Sequence, residues 1–419
     1  MKDKVLVIIC NNYPFGLSET FLINEIPFLS EGFDKIYVIS KNIKDEKVTQ
    51  TPDNVFVTRY NPTSSLSDKL KIPGRIIKNF SLITQSIREE IRNIKNLYNT
   101  PFLLRYLRIM FHDIIKAIEL RDFILNTQKT VTENPGILFY SYWMDSSSLA
   151  LVLLKRSRPG IKIISRAHRI DLYFYANKSK YLSYRNLISK NLDRIFFISD
   201  DGKKYMEELL KYKNPEFCVS KLGTSRKVKY QEERIRYNKN LVVSCSNVIP
   251  VKRVDLIIKA LAKLEKFPVH WIHLGGGPLL QEMKRLAAEN IHNLNVSYEF
   301  KGALPNPDIL HFYAENLIDI FINVSSSEGI PVSIMEAMSY KIPVIATNVG
   351  GTGEIVNHQN GVLLNPFPDE NEVVAALNKL LDQSDEEKEN MKIQAYKTWE
   401  TQFNADRNYT NFVQDLLKI

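Results

Sequence analysis

The sequence predicts an α/β protein of two domains, each a parallel sheet with crossover helices. Three observations carry that expectation. Buried-strand runs open two successive series of strand-length and helix-length segments, VLVIIC (Val5 to Cys10) in the first half and LVVS (Leu241 to Ser244) in the second. Between the two series lies Gly223 to Asn240, GTSRKVKYQEERIRYNKN, polar, charged and without apolar periodicity, as a linker is. Finally, Asp319 to Glu354 reads as one complete β-loop-α-β unit.

In that unit a strand from Ile320 to Val324 breaks into three serines and a Glu-Gly pair. Pro331 follows, favoured at a helix start because its missing N–H would be unpaired there. Val332 to Tyr340 reads as a short helix and Pro343 to Ala346 as the next strand. Glu328 sits in the loop, and Glu336 lies about a turn into a helix otherwise apolar on nearly every side. A carboxylate there needs a partner or a ligand, because burying it unsatisfied is costly. The N–H groups at the helix start form an anion seat between the two glutamates. That arrangement suits a sugar nucleotide, whose pyrophosphate is flanked by two sets of hydroxyls. A loop Glu in solvent and a helix Glu in a salt bridge would share the spacing; the serines, Pro331 and the apolar helix weigh for the ligand.

Taken in order, the first strand runs into NNYPFGLSETFLINEIPFLSEGF. Asn12, Pro14 and Gly16 supply turn chemistry, and Ser18 is placed to cap a helix from Glu19 to Leu29. Such a loop opens at the strand's carboxyl end, where ligands of open α/β folds sit. Further strands are Ile36 to Ile39 and Val55 to Val57. Lys71 to Met110 is basic, with Lys71, Arg75, Lys78, Arg88, Arg92, Lys95, Arg105 and Arg108 interleaved with apolar residues. That pattern fits an anionic membrane surface or the solvated face of an outer helix. Ile137 to Tyr140 ends in SYWMDSSS, and Ile161 to Ser165 ends in RAHRIDLY, which leaves His168, Arg169 and Asp171 just past a strand end. After Arg194 to Ser199, Asp200 or Asp201 is positioned as the next helix cap. In the second half, Pro250 and Lys252 precede a helix with Val254, Ile257, Ile258 and Leu261 on one stripe. His270 to Leu274 runs into Gly275-Gly276-Gly277 and a helix from Pro278 to Glu289. A helix from Asn371 to Leu381 closes the domain, and Glu386 to Ile419 reads as one long helical stretch.

SSSEGIPVSIMEAMSYKIPVIATNVGGTGEIV resembles the signature segment of family 4 retaining glycosyltransferases, which have the GT-B fold. The resemblance implies two facing Rossmann-like domains, residues 1–225 and 235–390, with a C-terminal helix over 391–419 crossing back to the first. It assigns the donor-sugar hydroxyls to Glu328 and the ribose to Glu336. CSNVIPVKR resembles the family's phosphate-binding segment, with Asn247 where an Arg is usual and Lys252 and Arg253 offsetting the leaving diphosphate. The donor-binding set it implies is Asn247, Lys252, Arg253, Gly276, Gly302, Glu328, Gly329, Ile330, Pro331, Val332 and Glu336. FKGALPNPDILHFY is similar to the segment that lines the nucleobase. SRAHRIDLY resembles the family's H-x-x-D segment, with Arg169 where Gly is frequent; its His, here His168, lies beside the donor's reacting carbon. YPFG-x-SETF is similar to the loop that faces the acceptor, giving Gly16, Ser18, Glu19 and Thr20 as acceptor-side residues, and Asp171 of the H-x-x-D segment is the further acceptor-side residue. His168, Lys252 and Glu328 are the catalytic expectations.

The implied reaction moves a hexosyl unit from a UDP- or GDP-sugar to an acceptor hydroxyl with retention, without metal or cofactor. The acceptor implied is a lipid-linked oligosaccharide of surface polysaccharide synthesis. A nucleotide-sugar 2-epimerase of the same fold and a non-catalytic sugar-nucleotide binder are the alternatives. No G-x-G-x-x-G supports a dehydrogenase, and no D-x-D supports a metal-clamped diphosphate. The 419 residues are 44% hydrophobic and 25% charged, an ordinary globular composition. A formal net charge of +9 points to an anionic partner, nucleotide or phospholipid surface, while nothing resembles a nucleic-acid module. Three scattered cysteines, no apolar run of about 18 residues and no signal-like start imply a cytoplasmic location, and the net charge together with the resemblance implies a peripheral place at the inner face of the membrane.

Overall fold

The computed structural model describes residues 4–16, 19–41, 46, 49–61, 72–93, 103–127, 136–177, 179–210, 216–229 and 233–419. They fall into two units, Met1–Ser220 with Tyr409–Ile419, and Lys221–Asn408.

The first unit is built on a seven-stranded parallel sheet of order β3-β2-β1-β4-β5-β6-β7. Its strands are β1 (Val5–Cys10), β2 (Lys35–Ser40), β3 (Val55–Arg59), β4 (Ile137–Ser141), β5 (Lys162–Ala167), β6 (Arg194–Phe197) and β7 (Glu216–Val219). β1 and β4 are buried along their whole length, the mark of central strands covered on both faces. One face is covered by α1 (Thr20–Gly32) and by Phe412, Val413 and Leu416 of the chain's last helix. On the other lie α2 (Ile72–Lys78), α3 (Phe80–Asn93), α4 (Leu103–Thr127), α5 (Ser146–Ser157), the short α6 (Arg169–Leu172), α7 (Arg185–Asn191) and α8 (Asp200–Leu209).

The second unit repeats the plan with six parallel strands in the order β10-β9-β8-β11-β12-β13. These are β8 (Asn240–Cys245), β9 (Val269–Leu274), β10 (Val296–Gly302), β11 (Ile320–Asn323), β12 (Val344–Thr347) and β13 (Gly361–Leu364). Its helices are α9 (Val254–Ala262), α10 (Leu280–Asn290), α11 (Asn306–Glu315), α12 (Val332–Ser339), α13 (Glu370–Leu381), α14 (Asp385–Gln402) and α15 (Ala405–Leu416), the last reaching into the first unit's residues. In both sheets the order reverses beside the opening strand, between β1 and β4 and between β8 and β11. Loops leaving the carboxyl ends of those strands diverge there and leave a crevice, the usual ligand position in open α/β sheets.

Several local expectations change. Ser199, not Asp200 or Asp201, caps α8: its hydroxyl accepts the Gly202 N–H at 3.0 Å, and both aspartates fall in the first turn. Pro331 is the N-cap residue of α12 rather than its first helical residue. The long terminal helix is two helices, broken between Gln402 and Ala405, where Asn404 Oδ1 accepts the Asp406 N–H at 2.9 Å. The helix cap expected at Ser18 lies outside the described residues. No helix among the described residues is long and apolar enough to cross a membrane.

Candidate active site

In the second unit two loops meet at the reversal point. Ser246 to Arg253 leaves β8 and ends in a tight turn at Pro250–Lys252; Val324 to Pro331 leaves β11. The Ser326 N–H donates to the Val251 carbonyl at 2.8 Å, and Arg253 Nε donates to the Val324 carbonyl at 2.7 Å. These two bonds clamp the loops side by side. Lys252 Nζ thereby reaches Glu328 Oε1 at 2.5 Å, with the side chains 22% and 12% exposed. Arg253 has a left-handed backbone (φ 47°) and a buried guanidinium nitrogen without a hydrogen-bond partner. Burial lowers its pKa, with Asp255 opposing.

α12 starts four residues after Glu328. The buried Pro331 accepts the Ile334 and Met335 N–H groups at 3.2 and 3.3 Å, so the positive end of the helix dipole lies beside the Lys252–Glu328 pair. Gly329 and Ile330 complete the loop, and Val332 opens the helix. Glu336 follows just over a turn later, 8% exposed, accepting Asn306 Nδ2–H at 2.7 Å. Burial pushes its carboxyl up to about 7, and the single bond from Asn306 only partly offsets this.

The glutamate loop is braced from behind. Gly350 has φ 54°, and a Cβ there would stand 2.0 Å from the Glu328 carbonyl oxygen. The Gly351 N–H donates to Gly329 O at 2.8 Å. On the neighbouring strand ends, Gly275 N–H donates to Gly302 O at 2.9 Å and Gly276 O accepts Val248 N–H at 2.7 Å, which puts Gly276 and Gly302 on one rim with the Lys252 loop. Asn247 is exposed on that loop.

In the first unit the crevice between β1 and β4 is organised by Glu19. Only 3% exposed, it takes the Asn11 N–H and Trp143 Nε1–H on Oε1 at 2.9 and 2.5 Å, and the Asn12 and Tyr13 N–H groups on Oε2 at 2.6 and 2.9 Å. Four donors fill this carboxylate, so it shapes the loop. Gly16 (φ 80°) turns that loop, and Thr20 begins α1, exposed.

Trp143 lies 4.5 Å from the His168 ring, centroid to centroid, and Tyr142 lies 4.9 Å away. His168 Nε2 meets the Tyr142 carbonyl at 3.1 Å and must donate to it, while the other ring nitrogen takes the Asp171 N–H in a reciprocal capping box. Burial first, then the nearby Arg166 charge, lowers the His168 pKa to about 3. The ring is neutral, with both nitrogens engaged. Asp171 accepts the His168 N–H and the Met144 N–H, both at 2.6 Å, tying the β5 loop to the β4 loop; burial raises its carboxyl to about 7.

Geometry thus gathers Lys252, Arg253, Glu328 and the Pro331 turn in one place and Glu19, His168 and Asp171 in another. Sequence reasoning missed Trp143 and Asn306, single side chains whose partners lie 124 and 30 positions away in the chain. It also missed the fully buried Arg166–Glu25 ion pair, although Glu25 sits conspicuously in the apolar stripe of Leu22, Ile26 and Leu29. Among the described residues, no group of three or more His, Cys, Asp and Glu side chains is arranged to hold a metal ion.

Two parallel sheets with their crevices at the strand reversals define a GT-B protein. Residues 225–398, which contain Lys252, Glu328 and Glu336, match the family described as Glycosyl transferases group 1, and the chain carries that glycosyltransferase domain. An uncharacterised glycosyltransferase of Methanocaldococcus jannaschii is 27% identical over 289 residues, 68% of this chain and 75% of its own length. The O-antigen biosynthesis glycosyltransferase WbnH of Escherichia coli is 26% identical over 195 residues, 46% of this chain. The match spans about half of WbnH, 52% of its length. The solved structure of Anabaena HepE in complex with UDP and glucose shares the fold, with a TM-score of 0.66 over 99% of this chain and 100% of that one, at 15% identity.

Proposed function

We propose that the protein is a retaining, metal-independent hexosyltransferase that uses a UDP- or GDP-sugar and an acceptor hydroxyl. The observation that carries this reading is the Lys252–Glu328 pair beside the start of α12. A cation, a helix terminus and a carboxylate at one point match the three parts of a donor at its reacting end. Lys252, Arg253 and the helix terminus would take charge building on the leaving diphosphate. Glu328, released from Lys252 as the diphosphate engages that amine, would accept sugar hydroxyls and orient the anomeric carbon. Glu336 would hold the ribose.

No carboxylate pair at the site serves as nucleophile and acid in the manner of a retaining glycosidase. Departure and attack therefore take place on one face of the sugar, the leaving phosphate oxygen accepting the acceptor's proton. His168, neutral and with both ring nitrogens engaged, would act by position rather than by carrying a proton. HepE is solved in complex with UDP and glucose, which favours UDP among the donors, and WbnH is an O-antigen biosynthesis glycosyltransferase, which favours a growing lipid-linked glycan as acceptor. Such an acceptor places the enzyme at an anionic membrane face.

The test is incubation of purified protein with UDP- and GDP-hexoses, with and without EDTA, following nucleoside diphosphate release and the anomeric configuration of the product by NMR. EDTA-insensitive release with retained configuration is the expected result. Absence of both nucleotide binding and turnover across the panel sinks the reading, and inverted product sinks its stereochemistry.

A further inference from the structure

The first unit holds a second concavity that the catalytic reading leaves without a task. Its volume, about 390 Å³, lies in the range of small-molecule sites. It opens beside the His168 turn, walled by α4, the start of α5, α6, the stretch that holds Asn177, Ser179 and Tyr181 to Ser183, and α7. Asp113, Asp145 and Asp171 line it together with Lys116 and Arg185.

Arg185 gives the cavity its chemistry. It is 5% exposed, and one terminal nitrogen donates to the Met144 carbonyl, yet its Nε has no hydrogen-bond partner. That Nε is closed to solvent, so an oxygen entering the cavity would meet the charge of Arg185 at the wall rather than the unpaired donor itself. The surroundings decide which oxygen. Asp171, Asp145, Asp113 and Glu90 all act on the Arg185 charge. An incoming phosphate or carboxylate would face the carboxylates of Asp113, Asp145 and Asp171 beside Lys116 and Arg185, with Lys41 paired to Asp145 at 2.9 Å, so the lining has no surplus of positive charge to offset an anion's desolvation.

A neutral polyol faces no such barrier. Its hydroxyls can donate to Asp113 and Asp145, whose ionised groups offer about four acceptor positions each. Present bonds leave room: Asp113 takes Ser183 and His112, and Asp145 takes Lys41 and the Ser147 N–H. The carbon faces of a sugar ring would lie against Ile109, Leu149 and Ile170, which line the same space.

We propose that this cavity is a saccharide subsite for an uncharged hexopyranose unit of the acceptor glycan, held by Asp113 and Arg185 beside the Asp171 bracket. The inference rests on the glycosyl-transfer reading for the word acceptor, but not for the chemistry of the pocket. It predicts that recognition on the acceptor side reads a neutral sugar rather than the phosphate of a carrier lipid.

The 419-residue protein is examined by saturation-transfer NMR with four probes: the methyl glycosides of galactose, glucose, mannose and N-acetylglucosamine. Inorganic pyrophosphate is the competing anion. Asp113→Asn removes the acceptor charge at constant shape, and Ser179→Trp fills the mouth from a partly exposed position. At least one glycoside should bind wild type, lose about tenfold or more in affinity in both variants, and resist displacement by pyrophosphate. Melting curves and UDP and GDP affinity, both close to wild type, show that the variants are folded. Silence from all four glycosides, binding indifferent to both variants, or displacement by pyrophosphate overturns the subsite. Donor hydrolysis by wild type reads the transferase proposal separately: hydrolysis without glycoside binding removes only the subsite, and glycoside binding without hydrolysis or nucleotide binding removes only the transferase.

Discussion

Lys252 and Glu328 hold each other at 2.5 Å, so whatever binds one must contend with the other. Replacing Glu328 by Gln keeps the shape and frees the amine. Nucleoside diphosphate affinity should then stay the same or tighten, while kcat falls about ten- to hundredfold through loss of a charged hydrogen bond to the reacting sugar. Steady-state kinetics with calorimetry checks both halves, and a wild-type kcat would show that Glu328 does not touch the sugar in the transition state. Glu336 gives the opposite signature. Its carboxyl is pushed by burial from an ordinary 4.5 to about 7. The folded protein therefore keeps a proton that the unfolded chain loses above pH 4.5. This contribution to stability is present at low pH and declines from about 4.5 up to 7. Ribose hydroxyls favour the ionised form, so donor affinity should rise between pH 6 and 8 and level off above. Glu336→Gln should weaken nucleotide binding about tenfold and lose the pH-dependent component that the diphosphate itself does not supply. Equal pH slopes in the two proteins would assign the titration elsewhere.

The loop after β12 acts on the site as an element, through Gly350. A side chain there meets both an unfavourable φ of 54° and the Glu328 carbonyl at 2.0 Å, so Gly350→Ala must push the glutamate loop off Lys252. Donor affinity should drop while the melting temperature of the first unit holds, which nucleotide titration and calorimetry measure; undiminished affinity would mean that the loop yields without moving Glu328. The helices α2 to α4 make a different claim. Ile77, Phe80, Leu104 and Phe111 are exposed among Lys78, Arg88, Arg92, Arg105 and Arg108, whereas Lys71 and Lys95 lie outside the described residues. Arg75 is bound to Glu119 at 2.8 Å. Each cation near an anionic surface is worth roughly 1 kcal/mol, so flotation with phosphatidylserine vesicles should show binding that fades in high salt. Leu104→Ser combined with Arg105→Gln and Arg108→Gln should abolish it; binding that ignores either salt or these changes would remove the membrane role. Legibility followed the same line between local and distant causes. Central strands such as β1 and β4 announced themselves because both faces are covered, while β10, with only Val296 buried, and the four-residue β13 did not read as strands. Glu328, Glu336 and Lys252 stood out through neighbours in the chain, but the donors that fill Glu19 and the clamp between Val251 and Ser326 are products of folding.

At the scale of the whole molecule, the least legible feature is how the chain's end completes its beginning. The returning segment was foreseen as a helix, yet its task is set by an ion pair no pattern revealed. Arg166 of β5 and Glu25 of α1 are paired with neither side chain exposed, and the Arg166 guanidinium lies 4.1 Å from the centroid of the Phe412 ring. A buried pair of this kind is stable only while water is kept out and its geometry is held, since the desolvation cost rivals the Coulomb gain. Phe412 supplies that seal, together with Val413, whose Cγ1 would lie 2.3 Å from any Cβ added at Gly32. Phe412→Ala should therefore cost more than its apolar area alone, at least the about 3–5 kcal/mol of a Phe truncated in a core, and should lower the melting of residues 1–220 selectively. On the proposed reading nucleotide affinity belongs to residues 221–408, and it should remain at the wild-type value. Differential calorimetry with and without UDP separates the two, because only the second unit's transition should move with ligand. A Phe412→Ala protein that melts like wild type would show that Arg166 and Glu25 are sealed without the terminal helix; one that loses nucleotide binding in step with its stability would show that the two units do not unfold separately.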